Sequence, residues 1–470
     1  MGKLRLFVDN FLIYGLGNIV SKIVPMLMVP VLTRIYPNSE YFGINDLSTT
    51  IISFAGAVSL CGMYDALFRL YFDKEDSLYK KSICSTALFF VLFTTIAMSL
   101  LLIVFRNAVA VAIFGSDKYE VIVILTAVGL LSSNMNSLLS APTRMENKRS
   151  TYLIVNIAST LISYSIAMLL VLHQKYIIAI PLATALSGLF IDMTYIILNK
   201  KWFSIKLFKW SALKDLLSLG IFFMPNFFIY WVYNSADRLM IGKILGNEYV
   251  GLYSVAAKMG GISNLLYTAF ASGWLYFSYS VMKSEDNTKI KSDLYEFVSA
   301  IIYLVTICFS LIIKPVWNIL FPLEYQSACT TSIYLFLAPM MLMLFQIIGN
   351  QFTVVKRSYM NFISLSIGAV INVVLNYYLI KKIGIEGAAI ATISGYTVNL
   401  LLAMLVLGRY KLLIISQRNI KCVITFGLYM IGWRFINNSL SIFIGLVCVG
   451  FICRLYEREI KEIVSRGKRA

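Results

Sequence analysis

The chain has 470 residues, 59% of them hydrophobic and 14% charged, with a net charge of +18. A soluble domain is about 45–50% apolar and about 25% charged. This composition, with a mean hydropathy of +0.78, excludes an ordinary water-soluble enzyme and requires lipid as solvent. The basic residues sit in short loops between apolar runs, where they meet anionic headgroups, so nucleic acid is excluded as a partner.

An apolar run of roughly 20 residues spans a bilayer. In chain order such runs fall at 11–32, 42–67, 83–105, 121–141, 152–172, 177–198, 216–236, 250–277, 294–313, 329–350, 359–380, 384–407, 420–435 and 440–456. The pattern predicts an all-α integral membrane protein of about 14 transmembrane helices. The first run is too long for a signal peptide and is expected to be retained. Asn437-Asn438 marks a tight turn between the last two. The longest loops, around 200–214 and 278–293, hold no globular domain, and no catalytic module outside the membrane is expected.

The loops alternate in charge. With the N-terminus inside, 29 of the 41 Lys and Arg fall on the inner side and 10 on the outer, leaving Lys22 and Lys258 within helices. This is the sign of the positive-inside rule. Both termini are therefore expected to be cytoplasmic, and the location a bacterial inner membrane.

Seven cysteines (Cys61, Cys84, Cys308, Cys329, Cys422, Cys448, Cys453) form no CxxC pair and read as small hydrophobes. The single histidine, His173, removes His-based triads and His-rich metal sites. There is no phosphate-binding GxxxxGK[ST] loop. No enzyme activity, metal or cofactor is expected, and transport would draw on an ion gradient or a substrate gradient.

The two halves resemble each other at an offset of 208 positions. Glu40-Tyr41-Phe42-Gly43 recurs as Glu248-Tyr249-Val250-Gly251, and Lys148-Arg149-Ser150 as Lys356-Arg357-Ser358. Ala183-Thr184 recurs as Ala391-Thr392 and Asn18 as Asn226. The offset covers six helices, an even number, so both copies enter the membrane in the same direction. The expected organisation is a six-helix bundle at 1–208, its parallel repeat at 209–416, and two further helices with a basic tail at 417–470. Two such bundles leave a cleft between them.

A charge at mid-bilayer costs at least ~2.5–3.5 kcal/mol and should face protein or a water-filled cavity. Lys22 and Lys258 are such charges, although a lysine can also snorkel to an interface. Tyr14, Asn18 and Lys22 share one helix face by their spacing, as do Asn226, Tyr230 and Asn234 on the repeat-equivalent helix. Ser254, Lys258, Gly261 and Thr268 form a third stripe, and Asp46, Thr50 and Ser53 a fourth. The economical arrangement turns all four stripes into one cleft, although single Asn and Ser residues also serve as helix-to-helix glue. Asp65 and Arg69 read as a gate or as a local i, i+4 pair. Asp237 and Arg238 close the seventh helix on the outer side, as structural or gating residues. Asp192 is a candidate coupling site for a proton. Pro25, Pro30 and Pro225 suggest kinks in the first and seventh helices.

The stretch Asp237-Arg238-Leu239-Met240-Ile241-Gly242, then Leu245-Gly246, Val250-Gly251-Leu252-Tyr253-Ser254 and Lys258, resembles Wzx-type polysaccharide flippases. Glu40-Tyr41-Phe42-Gly43 with Arg69 is similar to the matching part of that family's first half. The resemblance covers essentially the whole chain and places it in the superfamily of MATE exporters and lipid II flippases. It implies a V-shaped pair of bundles that rock between inward-open and outward-open states. It also implies a substrate, polyprenyl pyrophosphate carrying an oligosaccharide for O-antigen, lipopolysaccharide or capsule assembly, and other polysaccharide assembly proteins as partners. Three rival readings are a cation-coupled multidrug exporter, a membrane-bound polymerase or ligase, and a scaffold without transport. Two cleft lysines would repel cationic drugs, and the outer loops are short for an enzyme of this pathway.

Overall fold

A computed structural model describes residues 24–280, 287–354, 357, 359–436, 438–459 and 461. Among these the chain is almost entirely helical, with no strand. Tyr14, Asn18 and Lys22 lie outside the described residues. The first part contains α1 (Val24–Ile35), α2 (Glu40–Leu60), α3 (Met63–Tyr71), α4 (Ser77–Val104), α5 (Glu120–Leu139), α6 (Arg149–Leu172), α7 (Tyr176–Asn199) and α8 (Trp210–Trp231). After it come α9 (Asp237–Ile244), α10 (Asn247–Gly260), α11 (Ser263–Ser280), α12 (Asn287–Leu320), α13 (Ala328–Gly349), α14 (Tyr359–Ile383), α15 (Ile385–Arg409), α16 (Gln417–Phe435) and α17 (Asn438–Leu455). Among the described residues nine helices are long and apolar enough to cross a membrane, or ten if the bent pair α2–α3 is one span.

Three of the expected runs are broken or continued where the sequence pattern gives no sign of it, each for a local reason. The run 42–67 is not one helix. It breaks at Cys61-Gly62, both left-handed (φ 47 and 68), and α3 leaves α2 at 49°. A Cβ on Gly62 would overlap the carbonyl oxygen of Gly220, and one on Gly220 that of Cys61. The break therefore lets α8 run backbone against backbone. The run 250–277 is likewise two helices, parted at Gly261-Ile262. Gly260 there lies directly against the Ser332 backbone of α13. Finally, the seventh helix does not close at Asp237-Arg238. It continues through a π-turn, Val232–Ala236, into α9. Such a turn inserts one residue and rotates the helix beyond it, a common device at functional sites.

The internal contacts divide the chain into two units, Met1–Val255 with Asn376–Ala388, and Ala256–Leu375 with Ala389–Ala470. In the first unit α4 packs on α5, α5 on α7 and α7 on α6, with α2 against α5. Its apolar core gathers Met63, Leu67, Ile83, Leu138, Tyr195 and Trp202, and extends to Leu216 of α8. Polar cross-links tie its helices where water is absent. The Asn134 amide donates to Ser59 Oγ (2.8 Å) and Thr95 Oγ1 (2.9 Å), joining α5, α2 and α4. Each such bond contributes about 0.6 kcal/mol on average. In the second unit α12 packs against both α16 and α17, and α16 is tied to it by Asn419 to Ser299 (2.6 Å) and by Tyr429 with Ser310 (2.6 Å).

A close helix crossing inside the first unit joins positions that the 208-residue offset pairs. Gly43 of α2 lies on the backbone of Asn247 at the start of α10, and a Cβ there would overlap its carbonyl oxygen. Gly251 lies in the same way on Ser39. Under the offset, Gly43 maps to Gly251 and Asn247 to Ser39. The contact is its own image, as a two-fold operation requires. Gly43→Ala and Gly251→Ala should each reduce the yield of folded protein and lower its melting temperature in detergent. Gly427→Ala, on a helix with open space around it, should be neutral or stabilising. Parent-like melting of both crossing variants would contradict the close approach.

Candidate functional site

The first unit contains a pocket of about 370 Å³ walled by α2, α3, α5 and α8. Thr49 and Ser53 line it from α2, and Ser133, Asn134 and Ser137 from α5. Tyr64 and Asp65 of α3 reach it because the Cys61-Gly62 bend turns that helix aside, and Phe227 of α8 contributes an aromatic face. Next to it the Trp231 indole N–H donates to Ser53 Oγ (3.1 Å), and the Trp231 ring packs on Phe54 at 4.9 Å. Hydroxyls, an amide and a carboxylate beside aromatic faces suit a polyhydroxylated ligand. The Asn134 N–H groups are taken by Ser59 and Thr95, and the Thr49, Ser53 and Ser137 hydroxyls donate to carbonyls of their own helix. The pocket therefore offers a sugar mainly acceptors, the Asp65 carboxylate among them, and rings for its apolar C–H faces.

Beyond this pocket, still within the first unit, lies a buried charge cluster. Arg238 Nε donates to Asp46 Oδ2 at 2.6 Å, and Nη1 lies 3.3 Å from Asp237 Oδ1. The same Nη1 donates to the Asn234 carbonyl oxygen, and the Tyr253 hydroxyl donates to Asp237 Oδ2. The side chains of Asp46, Asp237 and Arg238 are 14%, 4% and 18% exposed. The cluster joins α2, α9 and α10 close to the Gly43–Gly251 crossing. It binds Asp46, which the stripe on α2 had offered as a substrate contact, into an ion pair. Arg238 and Asp237, expected as structural or gating residues, form the centre of that clamp.

The other sequence-derived candidates fall in different places. Arg69 pairs forward with Asp73, not back with Asp65. Its side chain is 66% exposed, whereas Asp65 turns into the pocket. Asn226 and Asn234 are exposed, and Tyr230 is half-buried with its carbonyl accepting from the Asn234 amide (2.7 Å). Lys258 is half-buried in the last turn of α10 and belongs to the second unit. Asp192 is buried on α7, away from the polar pocket. One of its oxygens accepts from Ser132 (2.7 Å) and the other has no partner among the described residues. It lines a separate apolar cavity of about 400 Å³ whose lining also includes Lys200 and Phe203. Sequence reasoning missed Ser133, Asn134 and Ser137, whose run averages as an ordinary apolar helix, and Tyr64, which only the bend at Cys61-Gly62 brings to the pocket. No group of three or more His, Cys, Asp or Glu among the described residues could hold a metal ion.

The charge cluster yields a stability prediction. Removing one partner of a buried ion pair costs about 3–5 kcal/mol, because the other charge is left behind. Arg238→Met strands two carboxylates and should sharply lower the melting temperature of the purified protein. Adding Asp46→Asn and Asp237→Asn should recover most of the loss. A parent-like melting curve for Arg238→Met alone would contradict the clamp.

Residues 31–328, more than half of the chain, match the family described as polysaccharide biosynthesis protein. An uncharacterized membrane protein, MJ1068 of Methanocaldococcus jannaschii, is 28% identical over 271 residues, 54% of this chain and 52% of that protein. A probable low-salt glycan biosynthesis flippase, Agl15 of Haloferax volcanii, is 25% identical over 250 residues, 51% of this chain and 51% of that protein. The alignments span about half the length of these curated relatives. Among solved structures, the lipid II flippase MurJ in its inward closed conformation superposes with a TM-score of 0.73 at 13% identity, covering 96% of this chain and 99% of that one. That likeness is one of fold.

Proposed function

Because the chain belongs to the polysaccharide biosynthesis protein family, we propose that it is a flippase for polyprenyl-pyrophosphate-linked oligosaccharide. The repeat unit moves from the cytoplasmic to the outer leaflet of the cytoplasmic membrane, with both termini inside, for assembly of a surface polysaccharide such as O-antigen or capsule. The observation that carries this reading is the pocket of the first unit, a mostly apolar wall with hydroxyl, amide and carboxylate groups set into it beside aromatic rings, among helices apolar enough to cross a membrane. A pyrophosphate bears about two negative charges and cannot cross hydrocarbon unaided, and sugars must shed water to cross. A pocket of hydroxyls, amide and carboxylate replaces that water, while the polyprenyl tail stays in lipid. The two bundles alternate access, driven by an ion gradient or by removal of substrate on the far side. Lys22 and Lys258 supply positive charge along the path, with Asn18, Tyr14, Asn226, Tyr230 and Asn234 as further sugar contacts. The partners are the glycolipid, the bilayer and the proteins that polymerise the exported unit, and the chain itself performs no catalysis.

Export of cationic drugs fits less well. Such a site attracts its ligand with a cluster of free carboxylates, whereas Asp46 and Asp237 are engaged by Arg238 and the pocket lining holds one acid, Asp65.

A strain lacking the gene should accumulate the lipid-linked repeat unit on its cytoplasmic face and lose surface polymer. The wild-type gene should restore both. A Lys258→Ala variant should restore much less polymer at matched expression, since one charge-assisted hydrogen bond of ~1.5–3 kcal/mol is a ten- to hundredfold loss of capture. A deletion strain with normal polymer and no trapped glycolipid would overturn the function. Normal polymer from Lys258→Leu would overturn the lysine's role.

A further inference from the structure

Arg144 lies on a short helix, Ala141–Met145, directly after α5. Its guanidinium sits over three rings, 5.7 Å from Tyr64, 5.4 Å from Phe68 and 5.3 Å from Tyr152. Nη1 also donates to the Tyr64 hydroxyl. Tyr64 lines the polar pocket, so Arg144 stands one side chain away from it, on the side of the chain where Lys and Arg are concentrated.

Arg144 has no carboxylate partner among the described residues, although other arginines do. Arg69 pairs with Asp73, Arg106 with Glu120, Arg238 with Asp46 and Asp237, and Arg418 with Glu296 and Glu459. The nearest acid in sequence, Glu146, is held by Lys148 and Lys201. Burial alone would raise its carboxyl, but those two lysines outweigh burial and hold it below the ordinary value. The aromatic box gives Arg144 packing and a preferred orientation but no counter-charge. Its remaining N–H donors stay available to a ligand.

We propose that Arg144, held by Tyr64, Phe68 and Tyr152, is the docking point for the pyrophosphate of the lipid-linked sugar at the mouth of the polar pocket. This rests on the flippase function proposed for the chain. Guanidinium binds phosphate oxygens through two parallel N–H bonds, and a fixed fork forfeits little entropy in doing so. With the phosphates on Arg144, the first sugar meets Asp65 and the Ser133–Ser137 wall, where the carboxylate accepts from sugar hydroxyls. An isolated stacking arginine on a protein surface needs neither a pocket behind it nor an unpaired charge, and Arg144 has both.

The test uses the full-length protein in detergent and farnesyl pyrophosphate as probe, with binding measured by calorimetry. Farnesol serves as the phosphate-free control and phosphatidylglycerol as a generic lipid phosphate. The parent should bind farnesyl pyrophosphate well above farnesol. Arg144→Gln should weaken that binding about ten- to a hundredfold while leaving farnesol unchanged. Arg144→Lys keeps the charge without the fork and should fall between, and it replaces Arg144→Gln if the latter unfolds. A parent that does not distinguish farnesyl pyrophosphate from farnesol would overturn the inference together with the substrate reading. Preference for pyrophosphate that survives Arg144→Gln would overturn the role of Arg144 alone. Displacement by equimolar phosphatidylglycerol would make Arg144 a bilayer contact and also overturn it.

Discussion

Two helices meet where neither can carry a side chain. Gly43 at the start of α2 and Gly251 in α10 each lie on the other segment's backbone, at Asn247 and Ser39. In lipid no hydrophobic force drives helices together, so contact depends on close approach and on hydrogen bonds that have no water to replace them. This crossing supplies the first, and the Ser39 hydroxyl supplies one of the second by donating to the Glu248 carbonyl (3.0 Å). The Arg238 clamp depends on it in turn. Only with α2 and α10 this close can one guanidinium hold Asp46 of α2 while Asp237 holds Tyr253 of α10.

The same use of glycine recurs where the polar pocket is made. Gly62 and Gly220 let α8 approach the break between α2 and α3, and the break aims Tyr64 and Asp65 inward. The hydroxyls around that pocket serve two ends. Those of Ser59 and Thr95 are spent on Asn134 and hold the helices. Those of Thr49 and Ser137 bond only back to their own helix, to the carbonyls of Asn45 and Ser133. Such hydroxyls keep a lone pair for a ligand, so one composition gives both a rigid wall and an exchangeable lining.

How much of this was legible in the sequence differs residue by residue. Membrane class follows from the recurrence of apolar runs long enough to span a bilayer. The match of Glu40–Gly43 to Glu248–Gly251 was visible as a repeat, but not that the two copies touch, since an offset carries no distance. Asp46 lay on a polar stripe and suggested a ligand contact. Its partner, 192 positions away, was beyond any periodicity argument. The breaks at Cys61-Gly62 and Gly261-Ile262 were hidden because hydropathy runs through them unchanged. Ser133, Asn134 and Ser137 were hidden by averaging, and Arg144 was counted only as a loop charge that sets orientation.

The central claim is that this chain carries a lipid-linked sugar across a bilayer, and transport by the purified protein tests it most directly. Vesicles are prepared with a polyprenyl-pyrophosphate-linked disaccharide in both leaflets, with and without the protein. An impermeant glycosyltransferase outside then labels whatever sugar reaches the outer leaflet. The account predicts that protein-containing vesicles expose their inner-leaflet glycolipid to labelling while protein-free vesicles retain it. Equal labelling of the two, with the protein folded and the vesicles sealed, would contradict the account.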